Sequence, residues 1–209
     1  MQLIEMINKV HCADCLEFMK QIPDKSIDLV LTDPPYGMEF QSNYRANKHD
    51  KIVGDDKYPA EALSEFFRIA KRAVYVFCRW DNIAELPKPK SVLCWIKNDW
   101  SMGDLKHGHG RQWEAIAFYP MEQHEFIKRI PDVITGNRTG NNLHPTEKPV
   151  DVMAKIIQAN VGDTILDPFC GSGSTLVACK ELNRNYIGIE ISEKYCNIAR
   201  ERLKQHPLF

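Results

Sequence analysis

Apolar and polar residues follow two rhythms along the chain. "INKVH" (7–11) reads as a short strand, and "CLEFMKQI" (15–22) as a helix closed by Pro23. "SIDLVLTD" (26–33) reads as a second strand, and its unbroken apolar centre predicts burial on both faces, as in a parallel sheet. From 38 to 57, "MEFQSNYRANKHDKIVGDDK" shows neither period, and a stretch of that length predicts a mobile loop. Pro59 then opens a helix, "AEALSEFFRIAKRA" (60–73), that feeds a strand, "VYVFC" (74–78).

Between 79 and 142 the rhythm breaks. "SVLCWIKND" (91–99) and "WEAIAFYP" (113–120) read as short strands, pointing to an inserted or antiparallel edge. Alternation resumes with a helix "PVDVMAKIIQANV" (149–161), a strand "TILDPF" (164–169) and a helix from about Ser174 to Leu182. A strand "NYIGIE" (185–190) and a final helix "EKYCNIARERLK" (193–204) follow. The predicted class is α/β, a mostly parallel sheet with helices on both faces, without internal repeats.

Composition adds limits. A chain of 209 residues, 44% hydrophobic, is sized for one core, so a single domain over 1–209 is expected. A formal net charge of -1 excludes a nucleic-acid packaging protein, so any polyanion must be met by local patches. No apolar run reaches membrane length and "MQLIEMINKV" lacks a signal-peptide pattern, which predicts a cytoplasmic protein with no membrane partner. Seven scattered cysteines fit reduced thiols; Cys12 and Cys15 form one C-x-x-C beside His11, but a second ligand pair is not evident, so no metal site is expected.

In open α/β sheets, ligands bind beyond the carboxyl ends of the strands. Here those ends carry Asp33-Pro34-Pro35-Tyr36 and Asp167-Pro168-Phe169-Cys170-Gly171-Ser172-Gly173. Gly171 and Gly173 permit a tight turn and close backbone approach to a ligand, ahead of a helix with unsatisfied N–H groups. Glu190 ends the next strand, where doubly wound cofactor sites place an acid for ribose hydroxyls; the plainer reading is a helix cap before Ser192.

The Asp33 loop is stiff, because proline fixes φ and removes donors, and its carbonyls remain as acceptors. An acid, a Pro34 carbonyl and the Tyr36 ring suit a planar ring with an exocyclic amino group. The two acceptors would take the amino hydrogens and draw the nitrogen lone pair out of conjugation, making a nucleophile for a methyl cation equivalent.

On these motifs the sequence resembles the S-adenosylmethionine-dependent DNA amino-methyltransferases, in the permuted group whose D-P-P-Y motif precedes the Gly-rich cofactor motif. The resemblance implies a Rossmann-like methyltransferase fold, circularly permuted, with catalytic residues Asp33, Pro34, Pro35 and Tyr36. For the cofactor it implies Asp167 to Gly173, Glu190 at the ribose, and Asp33 at the methyl-donor end. "LHPTEKPV" (143–150) looks like the family's segment at the methionine end, matching at His144, Thr146, Lys148 and Pro149; Asp14 and Cys15 match positions flanking the cofactor adenine.

The implied substrate is double-stranded DNA, its target base flipped onto Tyr36. A short target-recognition region is expected within about 98–142, a segment that is not basic overall. Arg45, Lys48 and Lys51 in the 38–57 loop, with Lys106, Arg111, Arg129 and Arg138, are the expected nucleic-acid contacts. Asp rather than Ser before the prolines leans toward adenine over cytosine amino methylation within the family. An RNA base, a glutamine amide and a non-catalytic binding module are the rival readings; the family's glutamine methylases favour Asn at position 33 and place the Gly-rich loop first. A homodimer and a cognate restriction endonuclease are the protein partners the resemblance brings into view.

Overall fold

In a computed structural model, described for residues 2–35, 60–101, 106–140, 143–144 and 146–205, eight strands form one sheet. The 38–57 loop, Tyr36, Arg45, Lys48 and Lys51 lie outside the described residues. In chain order the elements are α1 (Leu3–Met6), β1 (Lys9–Cys12), α2 (Cys15–Met19), β2 (Ile27–Thr32), α3 (Ala60–Ile69) and β3 (Ala70–Cys78). Then come β4 (Ser91–Ser101), β5 (Arg111–Pro120), β6 (Val133–Thr135), α4 (Val150–Ala159), β7 (Thr164–Asp167), α5 (Ser174–Glu181), β8 (Asn185–Glu190) and α6 (Glu193–Lys204).

The sheet order is β1-β8-β7-β2-β3-β5-β4-β6. Neighbours are parallel except at β5, which runs antiparallel to both β3 and β4. The period of two sorts side chains onto two faces. On β3, Tyr75 and Phe77 join one core with α4, α5 and α6, while Val74, Val76 and Cys78 join a second core with α2 and α3. Both faces of β2 and β3 are therefore apolar, as the unbroken run in β2 predicts. Among the described residues no helix is long and apolar enough to cross a membrane.

Several elements differ from the sequence reading. The third helix stops at Ile69, and Ala70–Ala73 extend β3 instead, pairing Ile27 with Ala70 and Leu29 with Ala73. The Arg68 guanidinium holds the helix end by donating to the carbonyls of Met19 (2.8 Å) and Ile22 (2.8 Å), and the next four residues take sheet partners. The two strands expected to be short are 10 and 11 residues long and form a hairpin built into the sheet. Val133–Thr135, not expected as a strand, pairs in parallel with β4 at the edge. Within 98–142, then, the end of β4, β5 and β6 are sheet strands among the described residues.

Phe66 is fully buried between α3 and the sheet. Phe66→Ala should lower unfolding free energy by about 3–5 kcal/mol in a denaturant titration, since the rigid sheet leaves a cavity. A loss under about 1 kcal/mol would mean α3 does not pack as described.

Candidate active site

Strands β2 and β7 are parallel neighbours, with Leu29 opposite Ile165 and Val30 opposite Leu166, so their carboxyl ends finish side by side. Thr32 Oγ1 donates to Asp167 Oδ1 at 2.8 Å, a buried link between residues 135 positions apart. Asp33 and the Gly-rich loop face one cleft, lined by Asp33, Thr146, Lys148 and Met153 together with Phe169 to Ser172. Asp167, buried beneath it, also accepts from the Phe169 N–H (3.2 Å). Burial pushes its carboxyl up to about 6, against the pull of these donors and Thr175.

The Gly-rich loop is built by backbone conformations that favour glycine. Gly171 (φ 50°) and Gly173 (φ 86°) are left-handed, and the Gly173 N–H donates to the Cys170 carbonyl at 2.7 Å, closing a tight turn before α5. Glu190 fastens this turn from β8: Oε2 accepts from the Gly171 N–H (3.0 Å) and Oε1 from the Ser192 N–H (2.8 Å). Burial raises its pKa. Glu190 thus braces the Gly-rich loop and, in line with its plainer reading, the backbone at the start of α6. The His144 ring lies over Gly171, where an added side-chain carbon would approach it to 3.4 Å, and rests against Tyr195 at 4.3 Å between ring centres. Thr146 turns its N–H and hydroxyl toward His144 Nδ1, at 3.3 and 3.2 Å.

Behind the loop, Arg202 of α6 donates to the Ser172 carbonyl (2.8 Å) and pairs with Glu147 (3.1 Å), tying the Gly-rich turn to the segment that carries Thr146 and Lys148. The sequence reading missed both residues. A signal existed: Tyr195, Ala199 and Arg202 stand at positions i, i+4 and i+7, so a charge falls on the buried stripe of α6.

Asp33, at the end of β2, is paired with the Lys148 ammonium through Oδ2. Lys148 also lies 3.2 Å from Glu114 Oε2, and Glu114 Oε1 lies 2.5 Å from the Lys97 ammonium. Burial works against the charge on Lys148, but Asp33 and Glu114 outweigh it and lift its pKa. Burial likewise pushes the Glu114 carboxyl up, but Lys148 and Lys97 outweigh it and hold the carboxyl below its usual range. Lys148, which the resemblance places at the methionine end of a cofactor, thus lines the cleft and is engaged with the acid of the other motif. Glu114 was also missed; it is an acid at the head of an apolar run, on the face of Ile116 and Phe118, where a buried charge requires a partner.

The remaining expected residues separate. Pro34 and Pro35 follow Asp33 directly, and Pro149 caps α4 behind Lys148. Cys12 of β1 pairs with Glu190 of β8, which puts Asp14 and Cys15 beside the Glu190 end, one strand beyond the cleft lined by Asp33; Asp14 caps α2 through the Glu17 N–H (3.0 Å). Among the described residues no group of three or more His, Cys, Asp or Glu could hold a metal. Lys106 lies in the β4–β5 connection and Arg111 opens β5, at the same edge of the sheet as the cleft. Arg138 follows β6 at that edge, its N–H on Asn98 (3.0 Å) and its guanidinium 3.5 Å from Asp99. Arg129 does not join them: Ile127, two residues before it, donates to the Ala159 carbonyl at the far end of α4, so Arg129 stands toward the amino ends of the strands.

With this geometry established, comparison with known proteins identifies the class. A DNA methylase family profile for N6 and N4 amino methylation matches residues 95–201. The relative named "Putative methylase YubD" of Escherichia coli (strain K12) is 32% identical, over 91% of this chain and 87% of its own. Type II methyltransferase M.HinfI of Haemophilus influenzae is 27% identical over 96% of this chain and 69% of its own. Among solved structures, the M1.HpyAVI–SAM complex has a TM-score of 0.71 at 23% identity, covering 93% of this chain and 98% of its own. The PvuII DNA methyltransferase (cytosine-N4-specific) has a TM-score of 0.70 at 14% identity, covering 96% of this chain and 87% of its own. The fold is the Rossmann-like fold of these methyltransferases. The chain belongs to the DNA methylase family whose members methylate exocyclic amino groups.

The raised pKa of Asp167 gives a signed prediction. Its native value of about 6 stands above the ordinary 3.8, so the native state binds this proton more tightly than the unfolded state. Stability from this site therefore falls as pH rises through about 4 to 6, by about 3 kcal/mol in all. In unfolding titrations of Asp167→Asn and the unaltered protein, the variant's relative stability should drop by that order between pH 7 and pH 4. A difference that stays constant with pH would contradict the account.

Proposed function

We propose that this chain transfers the methyl group of S-adenosylmethionine to the exocyclic amino nitrogen of adenine in double-stranded DNA, as a member of the permuted group. The observation that carries this reading is the convergence of Asp33, at the end of β2, and the Gly171–Ser172 backbone, beyond the end of β7, on one cleft. S-adenosylmethionine, when bound, supplies an electrophilic methyl on a sulfonium sulfur.

The chain's own residues supply position and charge. Gly171 to Gly173 let backbone approach the cofactor closely, with His144 and Thr146 at its methionine end, and Glu190 meets its ribose. A carboxylate offers about four acceptor sites, so two backbone N–H bonds leave Glu190 capacity for hydroxyls. Asp33 and the Pro34 carbonyl accept the two amino hydrogens, and Tyr36, reasoned from sequence, stacks on the flipped base. With the cofactor bound, these two acceptors would hold the nitrogen lone pair toward the methyl group it supplies, and the surplus proton on the nitrogen would pass to solvent after transfer. Prior deprotonation by Asp33 is excluded, because an aromatic amine is far too weak an acid for a carboxylate.

DNA would be held at the carboxyl edge, where Lys106, Arg111 and Arg138 stand and where the connections within 98–142 form the recognition surface. The Asp at position 33 supports adenine; the fold shared with a cytosine-N4-specific enzyme supports cytosine as the second reading.

Labelled S-adenosylmethionine and unmethylated genomic DNA, with RNA in parallel, followed by digestion to nucleosides, test this directly. The expected product is labelled methyladenosine from DNA. Asp33→Ala should slow transfer at least about 10²–10³-fold while cofactor affinity stays within a few-fold. Label in cytosine or only in RNA would overturn the substrate, and equal loss of binding and transfer would overturn the division of roles.

A further inference from the structure

Four charged side chains of alternating sign cross the top of the sheet from β4 to β2. Lys97 of β4 pairs with Glu114 of β5 at 2.5 Å, Glu114 lies 3.2 Å from Lys148, and Lys148 pairs with Asp33. The Lys148 side chain is 6% exposed and its ammonium sits 5.5 Å from the centre of the Phe77 ring. The row ends on the acid that faces the cleft, and three of its four members have no part in the reaction described so far.

We infer that Glu114, supported by Lys97, is a positioning residue for methyl transfer, acting through Lys148 to fix the orientation of the Asp33 carboxylate. The inference rests on the reading of Asp33 as acceptor for the target amine.

Stability alone does not account for such a row. Desolvation offsets most of the attraction within buried ion pairs, and apolar residues of like volume commonly serve a core as well. A reacting amine, by contrast, demands acceptors held to within a fraction of an ångström and about ten to twenty degrees. Asp33 follows the last residue of β2, and its side chain is 16% exposed, so the strand by itself does not fix its rotamer. Lys148 supplies one fixed contact at Oδ2, and Phe77 beneath with Glu114 beside keep that ammonium from following other rotamers.

Glu114 also divides the attraction of Lys148. With Glu114 neutral, the Lys148 ammonium would have Asp33 as its one anionic partner in the row, and would compete more strongly with the incoming amine for the carboxylate oxygens. Lys97 neutralises Glu114 from the far side, so the four groups sum to zero charge.

The test measures single-turnover transfer at saturating S-adenosylmethionine and DNA, together with the dissociation constant of S-adenosylmethionine. Glu114→Gln should slow transfer about ten- to a hundredfold while cofactor affinity changes less than about threefold. Should that variant fail to fold, Glu114→Gln with Lys97→Gln restores neutrality and should show the same split. Because Glu114 acts through Lys148, adding Glu114→Gln to Lys148→Gln should change the rate less than about twofold. Transfer by Glu114→Gln or the double variant within about twofold of the unaltered protein overturns the inference. So does a parallel loss of cofactor affinity, or losses that multiply in the Lys148→Gln background. Failure of the unaltered protein to methylate any DNA overturns the functional reading and this inference with it.

Discussion

The parallel pairing of β2 with β7 is the constraint on which the site depends. Strand β2 precedes α3, and β7 lies more than a hundred residues later, yet their hydrogen-bonded register finishes both strands at one edge of the sheet. The starts of the acid-proline loop and of the Gly-rich turn are therefore held together by backbone ladders and by the Thr32–Asp167 bond. Sites mounted on strand ends hold their geometry more closely than sites on long loops. The two apolar faces of β2 and β3 keep that edge rigid, since each is packed by helices.

Around this edge the protein concentrates charge in a desolvated setting. Asp167, Glu114, Lys148 and Glu190 are all largely buried, and each is answered by a specific donor or counter-charge. The two sides of the cleft handle charge differently. At the Gly-rich turn, Glu190 and Arg202 brace backbone, through Gly171 and Ser172. At the end of β2, Lys148 braces a carboxylate. A loop that approaches a ligand by its backbone needs its turn fixed, whereas an acceptor side chain needs its rotamer fixed, and the chain uses opposite kinds of partner for each.

Much of this was legible in the sequence because it is written locally. An apolar run that stops at Asp33 and two prolines, and another that stops at Asp167 before Gly171 and Gly173, mark strand ends by turn chemistry within a few residues. The β3 boundary was not, because Phe66, Ile69, Ala70 and Ala73 fit a helical stripe, and only pairing with β2 and β5 decides that the last two are strand. Glu114 and Arg202 were missed for the same reason: a charge at an apolar position signals a partner, but not which one, when the partner is contributed by a distant segment. Arg129 was grouped with Lys106, Arg111 and Arg138 because a basic residue looks alike at either end of a sheet, and the contact of Ile127 with Ala159 shows which end it occupies.

The central claim is that the two strand-end loops form a single crevice for methyl donor and acceptor. A crystal structure with a non-transferable S-adenosylmethionine analogue tests it most directly. The account predicts the analogue's ribose at Glu190 and its donor end between the Gly171–Ser172 backbone and Asp33. An analogue bound with its donor end turned away from Asp33, or held elsewhere on the sheet, would contradict it.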